Sequence, residues 1–214
     1  MPTKTMLLKN LAKNSVQLLS HGQFVYSLKT TDRVFFTFDD GPNDSFTPKV
    51  LEILRDFGHQ ATFFLIGEQV NRFPSIARQI LSEGHRIGLH THGHRMLDEL
   101  NRTEFNAEIR ENQEAIANAV GETPTILRPP RGRLRLRNLR WAAQANVRLI
   151  HYTITSNDWK AKCCEDVLNA VKLERVRPGD IISFHDNNEN TIAALPILLK
   201  GISAKGLRSA CFPH

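Results

Sequence analysis

The chain has 214 residues, of which 41% are hydrophobic and 23% charged, with a formal net charge of +6. Such a composition fits one globular domain with a sizeable core, and no segment is long and apolar enough to span a bilayer. Three cysteines, Cys163, Cys164 and Cys211, two of them adjacent, make a poor disulfide framework and fit buried or idle thiols in a reducing compartment.

The first segment, residues 1–20, reads as a short amphipathic helix, with Leu7, Leu8, Leu11, Leu18 and Leu19 interrupted by Lys4, Lys9 and Lys13. It lacks the continuous apolar stretch of a secretory signal, so a cytoplasmic location is expected. Packing on the domain is its ordinary use, and peripheral membrane association through residues 1–20 is the other. Residues 1–30 are taken as an appendage, and residues 31–214 as the catalytic domain. Every candidate residue for chemistry follows Arg33, so the appendage is expected to be dispensable for turnover.

From Arg33 the chain alternates. Strands are predicted at RVFFTF, ATFFLIG, HRIGLH, TILRPP, VRLIHYTI, IISFH and RSACF. Helices are predicted at Pro48–Phe57, Pro74–Glu83, Glu104–Val120, Leu136–Ala145, Glu165–Val176 and Ile192–Ser203. Pro48 suits a first turn, Gly58, Gly84 and Gly121 suit helix ends, and Asn101 with Glu104 has capping-box spacing. Strands alternating with helices imply an α/β fold built on a parallel sheet with right-handed crossovers. About seven such units suggest a barrel or incomplete (β/α) barrel, whose chemistry gathers at the C-terminal ends of the strands.

Five strand ends carry ionisable groups: Asp39 and Asp40; His90 and His94; Arg128; Asp158 beside Trp159; and His185. Two histidines and a carboxylate suit a divalent metal with open positions. Either Asp39 or Asp40 can be that carboxylate, which frees its neighbour to take a proton from water. His185 can protonate a leaving group, Asp158 can orient it, and Arg128 can neutralise the base. The reaction class is metal-assisted hydrolysis of an amide or ester. Taken singly these residues read as a polar turn, a solvated His loop and a surface Arg; their shared position at strand ends joins them.

The residues resemble the polysaccharide deacetylase family, the NodB-homology domain of carbohydrate esterase family 4. Its motifs correspond to TFDDGP, HTHGH, RPPRG, TSNDW and IISFH, in family order from Thr37 to His185. The resemblance implies a distorted, incomplete barrel that removes acetyl groups from an N-acetylated, or O-acetylated, sugar or polysaccharide. It implies Asp39 as base, Asp40, His90 and His94 as metal ligands, and His185 as acid tuned by Asp158. Arg128 becomes the partner of Asp39, and Trp159, Arg131 and Pro130 become substrate-binding residues. Trp159 would wall the acetyl methyl, and the Arg131 backbone N–H would face the oxyanion. One divalent ion is implied; zinc is the first choice, and cobalt, nickel, iron or manganese can fit.

Two positions depart from the family pattern. Thr155 stands where the fourth motif has an Asp, and Arg131 where the third often has an aromatic residue. His92, variable in the motif, is expected to be exposed or behind the ligands. The Arg-rich stretch from Arg128 to Arg140 suits phosphate or carboxylate, or is a solvated helix face. No nucleic-acid partner is expected, for want of a recognition fold or interleaved aromatics. Two other functions compete: a hydrolase of a small non-sugar amide on the same fold, and a saccharide-binding protein without catalysis.

Overall fold

The computed structural model describes residues 13–20 and 22–213. Its strands are β1 (Phe24–Val25), β2 (Arg33–Asp39), β3 (Thr62–Leu65), β4 (Arg86–Leu89), β5 (Ile126–Leu127), β6 (Arg148–Ile150), β7 (Ile154–Thr155), β8 (Ile181–His185) and β9 (Arg208–Ser209). The helices are α1 (Thr47–Asp56), α2 (Gly67–Arg72), α3 (Pro74–Ser82), α4 (Arg102–Val120), α5 (Leu136–Gln144), α6 (Cys164–Val171) and α7 (Glu189–Ala204). The strands run β1-β6-β5-β4-β3-β2-β8-β7, with β9 beside the start of β2, and every pairing is parallel. The two end strands do not pair with each other, so the barrel is incomplete, as expected.

Strand β2 is buried along six of its seven residues, as a central parallel strand covered on both faces must be. Alternation along the pleat then sorts its side chains. Phe36 and Phe38 point outward to the helices, in one cluster with Val50, Leu51 and Leu54 of α1. Their rings pack on Phe184 of β8 and Phe63 of β3 at centroid separations of 5.1–5.6 Å. Burying each such ring stabilises the fold by about 1.5–3 kcal/mol. Phe35 points inward and joins Phe64, Ile126, Ile150, Ile181 and Phe212 in a second apolar cluster. Thr37 and Asp39 continue the inward row above Phe35, so the apolar floor of the barrel supports a polar upper layer.

Three expectations are corrected. First, the division at residue 30 separates residues that fold together. Phe24 and Val25 form β1, paired with Leu149 and Ile150 of β6, and both are buried. Residues 13–19 are helical, and Gln17 clamps this helix to the sheet: its Nε2 donates to Ser27 O at 2.9 Å, and its Oε1 accepts from Ser27 N at 2.9 Å. The rest of the expected amphipathic helix, residues 1–12, lies outside the described residues.

Second, VRLIHYTI is two strands, not one. His151 N donates to Val25 O at one edge of the sheet, and Thr153 N donates to Ile181 O at the other. The chain therefore crosses the open side of the barrel at Tyr152. A continuous apolar run carries no periodicity signal for a change of partner. Third, two helices have different bounds. Lys172 adopts left-handed backbone (φ 53°) and ends α6 at Val171, before a 3₁₀ turn at Leu173–Arg175. Helix α7 begins at Glu189, because the Asn188 side chain accepts from Thr191 N at 3.0 Å. Helix α4 has the expected capping box and ends at Gly121 in left-handed conformation. No helix of the described residues is long and apolar enough to cross a membrane.

Candidate active site

At the C-terminal ends of the strands lies a pocket of about 550 Å3, lined in part by Asp39, Asp40, His90, His94, Tyr152 and His185. The two adjacent aspartates have separate partners within it. Asp39 ends β2 with its side chain buried inside the barrel, where Oδ1 accepts from Arg128 Nη1 at 2.9 Å and Oδ2 accepts from Ser183 Oγ at 3.1 Å. Asp40 follows in left-handed backbone (φ 80°), strained for a residue with a Cβ. This turn redirects its carboxylate, whose Oδ1 lies 3.4 Å from His90 Nε2 and 3.3 Å from His94 Nε2. Gly41 comes next because a Cβ there would collide with the buried Asp186 carboxylate.

His90 extends β4, and its Nδ1 lies 2.9 Å from the Arg128 carbonyl oxygen. That oxygen only accepts, so Nδ1 carries the proton and Nε2 offers its lone pair to the pocket. His94 reaches the same point through a loop held from both sides. Gly67 N and Glu68 N of α2 donate to Thr91 O and His92 O, and the buried Glu108 of α4 accepts from Gly93 N at 2.9 Å. Thr91 and His94 both take positive φ in this loop. His92 is partly buried and packs against Gly67.

Ligand atoms of Asp40, His90 and His94 all lie within 4.8 Å of one another. Asp40 Oδ1 is buried with no hydrogen-bond partner among the described residues. An orphaned carboxylate oxygen facing two imidazole lone pairs is the donor set of a divalent cation with further positions open, so the residues fit a metal. Burial alone would raise the Asp40 carboxyl, but the neighbouring His90, His185 and His94 hold it well below the usual carboxylate range. Burial, with His90 and Arg131 nearby, lowers His94 and favours the neutral, ligating imidazole.

Arg128 is the largest fully buried side chain. Its guanidinium lies over the Phe64 ring at 4.2 Å, and besides Asp39 it donates to Thr37 Oγ1 and His151 O. A cation this deep requires its anion, so Arg128 and Asp39 fix each other.

Across the pocket, His185 Nδ1 lies 2.7 Å from Asp158 Oδ1. Asp158 is buried and also accepts from His185 N, Trp159 N and Thr191 Oγ1. Burial opposes the charge on His185, but the Asp158 hydrogen bond and charge, with Asp39 and Asp40, push its pKa up to about 9. Its imidazolium is thus the resting form at neutral pH, with Nε2 left to donate. Asp158 in turn is lowered: burial raises it, and the His185 contacts more than offset that. Thr155, where the family motif has Asp, accepts from Asn157 N at 3.3 Å and holds the turn that delivers Asp158.

Trp159 forms an edge of the pocket and is 68% exposed. Arg131 lines the pocket in left-handed conformation (φ 56°). Pro130, expected at the substrate, is buried in the 3₁₀ turn and does not line the pocket; its ring sets the turn that carries Arg131 outward. Four contributors escaped the sequence reading. Ser183 lies two residues before His185 on the same face of β8, a spacing that could have pointed to it. Tyr152 sits at the strand break, and Glu108 and Asn112 lie in α4, where a buried polar residue has no sequence signature. Asn112 Nδ2 donates to Leu65 O at 3.1 Å and ties α4 to β3.

A family model described as polysaccharide deacetylase matches residues 28–150. A peptidoglycan-N-acetylglucosamine deacetylase of Bacillus cereus is 34% identical over 184 residues, which is 84% of this chain and 66% of that protein. This chain therefore spans just under two thirds of that relative. A chitooligosaccharide deacetylase of Azorhizobium caulinodans is 32% identical, covering 86% of this chain and 95% of that one. Among solved structures, a peptidoglycan N-acetylglucosamine deacetylase in complex with an N-oxidanyl-benzamide superposes with a TM-score of 0.86 at 31% identity, covering 92% of this chain and 94% of that chain.

Proposed function

Because the chain belongs to the polysaccharide deacetylase family, we propose that it is a metal-dependent hydrolase that removes acetyl groups from N-acetylated sugars of the peptidoglycan or chitooligosaccharide kind. The observation that carries this reading is the division of labour between neighbours: Asp40 faces His90 and His94, while Asp39 faces Arg128 and Ser183. Two like charges side by side have a chemical purpose when one binds a cation and the other handles a proton.

Asp40, His90 and His94 would hold the ion, with zinc as the first choice for two nitrogens and one oxygen. Once bound, a divalent ion would supply Lewis-acid polarisation and lower the pKa of water to about 7. Asp39 takes the proton of the attacking water, and Arg128 keeps the carboxylate aimed. His185 gives the proton at Nε2 to the leaving nitrogen, while Asp158 holds its Nδ1–H. The Arg131 backbone N–H is the donor for the oxygen that develops negative charge at the acyl carbon. Trp159 and Tyr152 flank the acetyl methyl.

The test is acetate release from N-acetylglucosamine oligosaccharides and peptidoglycan fragments, with and without a chelator. Metal-restored release supports the reading. A protein that takes up the metal and binds the sugar, yet releases no acetate from any of them, contradicts it and leaves the saccharide-binding alternative.

A further inference from the structure

The charges around the pocket are unevenly compensated. Arg128 is matched by Asp39, and Asp158 by His185. Outside the pocket, Arg133 is matched by Asp98 and Glu99, and Arg137 donates to the carbonyls of Asp98 and Leu100. Arg131 is different: it lines the pocket with Asp40, His94 and Trp159, and no carboxylate among the described residues lies within ion-pair distance of it. At the same mouth Lys160 Nζ sits 5.4 Å from the centre of the exposed Trp159 ring, and it too forms no ion pair among the described residues.

The backbone points the same way. Arg131 holds φ 56° between Pro130 and Gly132, a left-handed conformation that strains a residue with a Cβ. The turn thus commits Arg131, with its side chain exposed, to the pocket mouth. A divalent ion held by Asp40, His90 and His94 would add one positive charge beyond that of the Asp40 carboxylate. A neutral acetamido sugar offers nothing to balance these charges; an anionic one does.

We propose that Arg131 anchors an anionic substituent, a carboxylate or phosphate, carried by the acetylated saccharide close to the acetamido group. This rests on the deacetylase reading and narrows its substrate class. A planar guanidinium matches both anions with paired N–H donors, and an ammonium does not. Lys160 would add long-range attraction on the Trp159 side.

The test uses binding as well as turnover. Calorimetry on the full chain compares three probes: an N-acetylglucosamine oligosaccharide, a matched oligosaccharide with a carboxylate ether on alternate sugars, and one with a phosphate ester. The wild-type chain should bind at least one anionic probe about 10-fold or more tighter than the neutral one. Arg131→Ala should erase that preference, and Arg131→Lys should restore only part of it. The arm that responds identifies the anion as carboxylate or phosphate. Equal affinity for all three probes, or a preference that survives Arg131→Ala, overturns the inference. An intact preference with no acetate released would count against the hydrolase reading and leave this one standing.

Discussion

Asp39 and Arg128 meet inside the barrel, with Nη1 2.9 Å from Oδ1 and side-chain exposures of 6% and 1%. Each is the other's counter-charge, and neither can be removed alone without leaving an uncompensated ion. Arg128→Met should therefore destabilise the fold by about 3–5 kcal/mol, read as a drop in the urea midpoint. Asp39→Asn combined with Arg128→Met should recover much of that loss while remaining inactive. A single Arg128→Met variant as stable as wild type would show that the pair is not coupled.

The second expectation concerns the acid. In the metal-free protein the His185 ring should titrate near 9, up from the usual 6.5, as followed by NMR. Its folded-state pKa is raised, so its contribution to stability is fully present below 6.5 and is lost as pH rises through about 9. Asp158→Asn removes the chief raising partner and should bring the ring back down toward its ordinary value. A ring that titrates at 6.5 or below in the wild-type chain would contradict the assignment of His185 as a charged donor.

A third expectation follows from Glu108, which holds Gly93 between His90 and His94, the two proposed metal ligands. Glu108→Ala should loosen the loop and weaken metal affinity by about 10–100-fold, with the far-UV spectrum unchanged. Unaltered affinity would mean that the α2 contacts alone position His94.

Much of this arrangement was legible in the sequence, for identifiable reasons. Long apolar strands such as β2 and β8 end abruptly in charge, and a parallel α/β sheet gathers such ends on one rim. That logic located Asp39, Asp40, His90, Arg128 and His185 without a structure. Short elements were not legible. The two-residue β1 has no period, and its burial comes from β6, far away in the chain. Tyr152 was hidden because a crossing of the open barrel looks like continued strand. Pro130 was assigned to the substrate by motif adjacency, whereas its ring is spent on the turn.

The fourth expectation comes from that same correction. Deleting residues 1–30 removes β1 and the Gln17 clamp, and bares the edge of β6. The truncated chain should unfold at markedly lower denaturant concentration than the full chain, and lose activity through instability rather than chemistry. A truncation with an unchanged midpoint would restore the original view that this segment is an independent appendage.

The central claim is that adjacent aspartates do different jobs, and metal analysis of two single variants tests it most directly. Zinc content and acetate release are measured side by side for Asp39→Asn and Asp40→Asn. The account predicts that Asp39→Asn keeps a full complement of metal and loses about 10²–10⁴-fold in turnover, the usual worth of a general base. Asp40→Asn should instead lose the metal, and activity with it. An Asp39→Asn protein emptied of metal beside an Asp40→Asn protein that retains it would contradict the assignment and exchange the two roles.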